Sequence, residues 1–293
     1  MIKYIDYSAD KIEIDDFYDK IAYVAHNCYQ VEGKTPNRDF VTNLIKSSHL
    51  AMIEHFVFHF MIDEKLFIKL QSLMNKYIVL SKTNEDNQFL LTLSCRPLLE
   101  NRSIEEFIPI INALPSDVSS IFNVKSIDES HIIVPIDEAY LKHLYEINII
   151  SEKVYKEHCY RSIKIITDRG VTHELVRHRP CSFAQESTRY CNYSKNKFGN
   201  SITLIKPLDY DKYADTYDKY YQSFEDGYFE LINKGARLDV ARALLPNGLK
   251  TSIIVTASLE EWDHIFELRM ANGAHPDMIE TMKRVKEVID EKR

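Results

Sequence analysis

Apolar residues recur every three or four positions over Asp15–Tyr29, with Phe17, Ile21, Val24 and Cys28 on one face, so the spacing predicts an opening helix. Thr35-Pro36 offers a cap and then a first-turn proline, and Phe40, Val41, Leu44 and Ile45 give the helix that follows its buried face. The period then changes. Phe56, Phe58 and Phe60 alternate as on one side of a strand. Helices are expected over Leu66–Leu80, Arg102–Leu114 and Asp137–Ile147, with polar loops such as Thr83-Asn84-Glu85-Asp86-Asn87 between them. Ser162–Thr167 reads as a short strand, and Val171 and Leu175 lie four apart on the short helix after it. Pro180 disfavours helix at Arg179, so the chain leaves the helix there. A turn at Phe198-Gly199-Asn200 separates this region from a strand at Ile202–Ile205. Tyr213, Tyr217, Tyr220, Phe224, Tyr228 and Leu231 then recur at helical spacing on one long helix, a stripe expected to be packing.

Two arginines interrupt apolar stripes. Leu238, Ala241 and Leu245 share one face of a helix ending before Pro246-Asn247-Gly248, and Arg242 falls on that face. Ser258 and Glu261 form a capping box for a further helix. Its stripe is Trp262, Ile265 and Phe266, and Arg269 lies four residues after Ile265. A guanidinium is almost never buried without a partner. Each arginine therefore implies an internal anion, a bound ligand or an aliphatic stem reaching the surface.

The densest chemistry lies in Arg177–Tyr190, where three arginines and His178 stand beside Ser182, Gln185, Glu186, Ser187 and Thr188. Basic residues in a last helical turn also suit the helix dipole and often sit in water. The second polar set, from Ser182 to Arg189, goes beyond what a solvated helix end requires. Arginine presents a planar fork of donors that matches phosphate, and hydroxyls take the remaining oxygens, so the run reads as a pocket for a phosphorylated ligand.

Composition narrows the field. Of 293 residues, 45% are hydrophobic and 28% charged, ordinary for a soluble globular protein. A net charge of -7 argues against a generic nucleic-acid binder, yet residues 161–197 hold eight Lys or Arg against three Asp or Glu. The five cysteines are scattered without a CxxC, which favours free thiols in a reducing compartment. No apolar run approaches a membrane span and the N-terminus lacks a signal-peptide core, so a cytoplasmic protein is expected. No GxGxxG or P-loop pattern occurs. His173-Glu174-Leu175-Val176-Arg177-His178 misses HExxH by one residue, about 100° around a helix, so no metal site is expected.

Arg177-His178-Arg179, seven further residues and then Ser187-Thr188-Arg189-Tyr190 together resemble the signature of the flavin-dependent thymidylate synthases. His49, four residues, then Glu54-His55 before an aromatic strand is similar to that family's second motif, where the first histidine contacts the flavin. Asn27-Cys28-Tyr29-Gln30 resembles the first motif. The resemblance covers residues 15–62 and 160–275, and residues 64–160 look like an insertion of a longer branch, packed on one catalytic domain spanning 1–293.

The resemblance implies an α+β fold with a central antiparallel sheet, packed helices and a mainly helical insertion. It implies a homotetramer with active sites between subunits, and reductive methylation of dUMP to dTMP. Methylenetetrahydrofolate would give the carbon, and FAD reduced by NADPH the hydride, without an enzymic nucleophile. Glu174, Arg177, Gln185, Glu186, Ser187, Thr188, Arg189, Arg242 and Arg269 would hold or line the nucleotide, with Arg269 the group assigned to activating the uracil. His49, Arg177, His178, Arg179, Ser258, Glu260 and His264 would meet the flavin. The chain departs from the family at Ala51, where a hydroxyl residue is common, and at Ala184, where Asn is common. Ser258, Glu260 and His264 stand where compact members have Asn, Arg and Asn. Cys181 beside His178 raises the question of a thiolate nucleophile, but the pattern of the nucleophilic-cysteine thymidylate synthases is absent. Two other readings compete: a flavoenzyme modifying a pyrimidine nucleotide differently, and a nucleic-acid-binding module using Arg177–Phe198.

Overall fold

Strands at Lys3–Ile5 (β1) and Ser8–Lys11 (β2) precede helix Phe17–Tyr29 (α1) in the computed structural model, which describes residues 2–30, 33–73, 77–124 and 131–291. Asp16 caps α1 by accepting from the Asp19 amide, and the helical spacing buries Phe17, Ile21, Val24 and Cys28. Helix Asn37–Lys46 (α2) starts later than expected. Pro36 is itself the cap residue, and since proline carries no side-chain acceptor, no side chain caps the helix. A 3-10 turn at Ile53–His55 leads into strand Val57–Ile62 (β3).

Residues 64–160 are mainly helical but also build sheet. Helix Glu64–Gln71 (α3) is followed by strands Ile78–Lys82 (β4) and Phe89–Ser94 (β5). The helix expected over Leu66–Leu80 therefore stops early; its positions 74–76 lie outside the described residues. Ile78 and Val79 are β-branched, and they pair antiparallel with Leu93 and Thr92. Helices Cys95–Glu100 (α4), Ile108–Asn112 (α5) and Ser116–Ser119 (α6) follow. The helix expected over Arg102–Leu114 is thus a 3-10 turn at Glu105–Phe107 and then α5, with Pro109 in the first turn of α5. Strand Ile133–Ile136 (β6), helix Glu138–Glu146 (α7) and helix Glu152–His158 (α8) complete the segment.

Strand Tyr160–Asp168 (β7) then enters helix Arg169–Leu175 (α9), followed by strands Ser182–Gln185 (β8) and Thr203–Ile205 (β9). Helices Tyr210–Asn233 (α10) and Leu238–Ala241 (α11), strand Lys250–Ser258 (β10), and helices Leu259–Arg269 (α12) and Pro276–Asp290 (α13) close the chain. The fold is α+β with open antiparallel sheets. One runs β2-β7-β10-β8, the other β4-β5-β3-β6, and β1 pairs with β9 in parallel. In the first sheet β10 pairs with β7 along its whole length, from Lys250 opposite Asp168 to Ser258 opposite Tyr160. Trp262, Ile265, Met282 and Val285 pack with Ile163, Ile165, Ile253 and Val255 of that sheet. A second core gathers Ile21, Val41, Phe60, Leu91 and Leu98 from α1, α2 and the other sheet. Both cores follow from alternating or helical apolar patterns, each burying one face.

Candidate active site

Asp168 caps α9 by accepting from the Val171 amide at 2.8 Å, which fixes where the helix begins. The helix ends at Leu175 and the chain turns through Arg177–Pro180, whose Arg179-Pro180 peptide is cis. It then runs along β10, with Ser182 opposite Thr256 and Gln185 opposite Ile253. The motif therefore wraps the end of α9 and the edge of the first sheet.

Arg269 arrives from the last turn of α12, on the buried stripe as its spacing indicates. Its Nε donates to His178 Nε2 at 2.9 Å, its Nη1 to Glu174 Oε2 at 2.7 Å, and its Nη2 to the Glu174 carbonyl at 3.1 Å. Since His178 Nε2 accepts, the ring proton belongs on Nδ1, which lies 3.7 Å from Glu261 Oε1. Cys181 Sγ is 3.8 Å from the same carboxylate oxygen, and the His264 ring stands 6.0 Å from that of His178. Burial pushes the Cys181 thiol well above its ordinary range, and the Glu261 charge adds to this. Arg269 thus has its anion within the chain, and the fork also fixes the tautomer of the motif histidine.

Arg242 departs from the sequence expectation. α11 lasts a single turn and passes into a 3-10 turn at Arg242–Leu244; Leu238 and Leu245 are only half-buried there, and Arg242 is exposed. Arg177 and Arg189 are exposed as well. Among the described residues, none of these three guanidinium groups forms an ion pair. Arg179 is exposed too, donates to the carbonyls of Val176 and His178 at 2.7 and 2.6 Å, and lies over the Phe183 ring at 5.4 Å.

The remaining candidates divide. Gln185 donates to the hydroxyls of Thr172 at 2.9 Å and Thr251 at 3.2 Å, which holds its amide against α9. Glu186 is buried, and its carboxylate is taken up by Tyr193 at 3.0 Å and Lys250 at 2.7 Å, beside a cavity of about 360 Å³ also lined by Lys3 and Lys197. The Ser187 amide donates to the Cys28 carbonyl at 2.9 Å, tying the Asn27–Gln30 run to the Arg177–Tyr190 motif, and Thr188 is buried. Ser258 caps α12 by accepting from the Glu261 amide at 3.2 Å, while Glu260 and His264 are exposed. His49 is exposed on the loop after α2, and the chain itself brings it into no contact with His178 or Arg179 among the described residues. Sequence reasoning missed Glu261, read there only as half of a capping box. It also missed Lys250 and Tyr193, whose roles beside Glu186 depend on tertiary pairing that no local spacing signals.

Residues 129–292 match the model of a family described as thymidylate synthase complementing protein. The flavin-dependent thymidylate synthase of Pyrococcus furiosus is 33% identical over 137 residues, which cover 45% of this chain and 55% of that protein. The corresponding enzyme of Geobacter sulfurreducens is 32% identical over 124 residues, covering 41% and 53%. A probable flavin-dependent thymidylate synthase of Paramecium bursaria Chlorella virus 1 is 26% identical over 145 residues, covering 45% and 67%. The chain spans about half the length of most of the curated relatives it matches. With the family model covering more than half of its residues, the chain belongs to the thymidylate synthase complementing protein family.

Proposed function

We propose that the protein is a flavin-dependent thymidylate synthase that methylates dUMP to dTMP, with methylenetetrahydrofolate as carbon donor and NADPH as reductant. The observation that carries this reading is the delivery of Arg269 from α12 onto His178 and Glu174 of the motif. The relatives' names support the same activity. Arg177, Arg189 and Arg242, which form no ion pair among the described residues, suit a phosphate and leave the nucleotide's charge to be met by forks of donors. Arg269 would face the uracil, its guanidinium held in plane by Glu174 and favouring the charge distribution that makes C5 nucleophilic.

The donor set fits FAD. Exposed Arg177 and Arg179, the aromatic face of Phe183, His178, and the exposed His49, Glu260 and His264 offer cationic, stacking and hydrogen-bonding groups for a flat anionic ring and a diphosphate. Bound FAD supplies the hydride. No thiolate is needed, consistent with a Cys181 thiol that burial keeps protonated. His49 and Arg242 are exposed on the single chain, which suits a homotetramer whose sites lie between subunits, and the cytoplasm is the compartment this reading assigns. Residues 1–293 then form one catalytic domain in which 64–160 is inserted.

Tritium release from C5-labelled dUMP, with methylenetetrahydrofolate, NADPH and FAD supplied, tests the reading. Release matched by dTMP formation is the expected result. Release without dTMP would point to a different pyrimidine modification, and a protein that takes up no flavin and releases no tritium would overturn the proposal in favour of a binding module.

A further inference from the structure

The inserted segment touches the second motif directly. On one side of the Ile53–His55 turn lies α4, whose first amide, Cys95 N, donates to the Phe56 carbonyl at 2.9 Å. Ile53 is fully buried in the core that also holds Leu98 and Leu99 of α4. The Arg96 guanidinium bridges two carboxylates, donating from Nη1 to Glu54 Oε1 and from Nε to Glu100 Oε1 at 2.7 Å. From the other side, Ser182 Oγ donates to the Glu54 carbonyl at 3.3 Å, and His55 Nδ1 meets Thr256 Oγ1 at 2.8 Å. The start of the loop between α2 and this turn is tied to α2, with the Ser48 and His49 amides donating to the Ile45 and Leu44 carbonyls at 3.0 Å each, and Ser48 adopts a left-handed conformation at φ 59°. Glu54 is thus the side chain by which the insertion grips the loop carrying His49.

We propose that Arg96 is a positioning residue supplied by the insertion: it holds Glu54, and through it the 47–56 loop, in the arrangement that presents His49 to the flavin. The flavin half of this statement rests on the function proposed above. The Glu54 side chain is only 13% exposed, so removing Arg96 leaves a carboxylate that water reaches poorly. Glu100, one turn along α4, pre-sets the guanidinium plane so that Nη1 aims at Glu54. A lysine at 96 cannot make both contacts, because an ammonium lacks the planar fork.

The experiment uses the full chain with Arg96→Gln, Arg96→Lys, Glu54→Gln and the Arg96→Gln/Glu54→Gln double variant. Two quantities are measured: the FAD dissociation constant by flavin fluorescence, and amide hydrogen exchange across residues 47–56. Arg96→Gln is expected to weaken FAD binding about tenfold, the scale of one charged hydrogen bond, and to speed exchange selectively in 47–56. Arg96→Lys should not restore either, and the double variant should lose little beyond the worse single one, since both groups act through one contact. Unchanged affinity and exchange in Arg96→Gln would overturn the proposal. So would exchange raised evenly across the whole molecule, which marks general destabilisation. If the unaltered protein takes up no FAD, the function proposal fails separately, and the exchange arm alone decides whether Arg96 orders the loop.

Discussion

Arg269 holds two partners of different kinds, and they set opposite expectations for stability and turnover. Glu174 is 38% exposed at its side chain, so the ion pair contributes on the order of 1 kcal/mol or less to the fold. A donor aimed at developing charge in a site is worth much more, and its loss typically costs on the order of a hundredfold in rate. Arg269→Ala should therefore melt close to the unaltered protein yet form thymidylate at least about a hundredfold more slowly. Arg269→Lys should not rescue it. Thermal melts and dTMP formation on the same preparations check this, and near-normal turnover in Arg269→Ala would make the residue structural. Cys181 is the contrasting case. Its thiol is buried against Glu261 and held protonated, so Cys181→Ala should keep most of the turnover, measured as dTMP formed at saturating substrate. Lost turnover with intact flavin and nucleotide binding would restore a covalent role. At this scale the sequence was informative wherever a residue sat on a strong period: Arg269 lies where the α12 stripe places it. Arg242 is exposed although its spacing matches the stripe, because α11 lasts one turn and Leu238 and Leu245 are themselves only half-buried, which leaves little buried face to share.

Elements carry their own pH sensitivity, concentrated in the sheet β4-β5-β3-β6 and the turn before β3. The Thr92 hydroxyl on β5 lies 2.8 Å from His59 Nδ1 on β3 and 2.7 Å from His158 Nδ1 at the end of α8, and His158 Nε2 reaches Ser81 on β4 at 2.9 Å. One hydroxyl donates once, so it serves as donor to one imidazole and acceptor to the other, and that exchange requires at least one ring to be neutral. Burial pushes His158 down to about 3 and His59 down to about 4, the latter with help from the Lys20 and Arg161 charges. Burial and Lys20 push His55 down to about 3. Unfolded, each titrates near 6.5, so the folded values are depressed and the unfolded chain binds more protons between these limits. The stabilisation is full above pH 6.5 and is lost as pH falls toward 3, at up to about 4 kcal/mol per pH unit for three protons. Since whole domains are stable by only about 5–15 kcal/mol, acid unfolding is expected before the folded values are reached, between roughly pH 4 and 6. Urea melts from pH 8 to 5 check this; stability that stays flat down to pH 5 would contradict the neutral cluster. Among the elements, α1, α7, α9, α12 and β7 follow from apolar spacing and caps. β4 does not, because Ile78, Val79 and Leu80 extend the α3 pattern and become a strand only through pairing with β5, a long-range choice that local period does not encode.

At the scale of the molecule, α10 presents a surface that the chain alone does not cover. The aromatic stripe of α10, expected from its period to be packed, is buried only in part: Tyr228 lies in the core, but Tyr220 is 55% and Phe224 39% exposed, four residues apart on one face. The 3-10 turn after α11 lies against the same helix, where Gly227 permits the approach: a Cβ there would come within 3.0 Å of Leu244 Cδ1. Val240 and Leu244 are themselves exposed, so the face is continuous from α10 to the turn that carries Arg242. An apolar patch of this kind on a single chain marks a contact surface, and in a homo-oligomer symmetry brings the same patch of another copy within reach. If this face joins subunits, Arg242 stands at its rim and would complete a site from a neighbouring chain. The expected mass in sedimentation is that of a tetramer, and Phe224→Glu, which sets a charge in the patch, should shift it to smaller species while the chain keeps its far-UV signature. Flavin and dUMP affinity should fall with the mass, and raising protein concentration should restore both together by mass action. Dissociated protein that still binds dUMP as tightly as before would show that each chain holds a complete nucleotide site. In that case Arg242 would have to act from its own exposed position, with the aromatic face serving assembly alone.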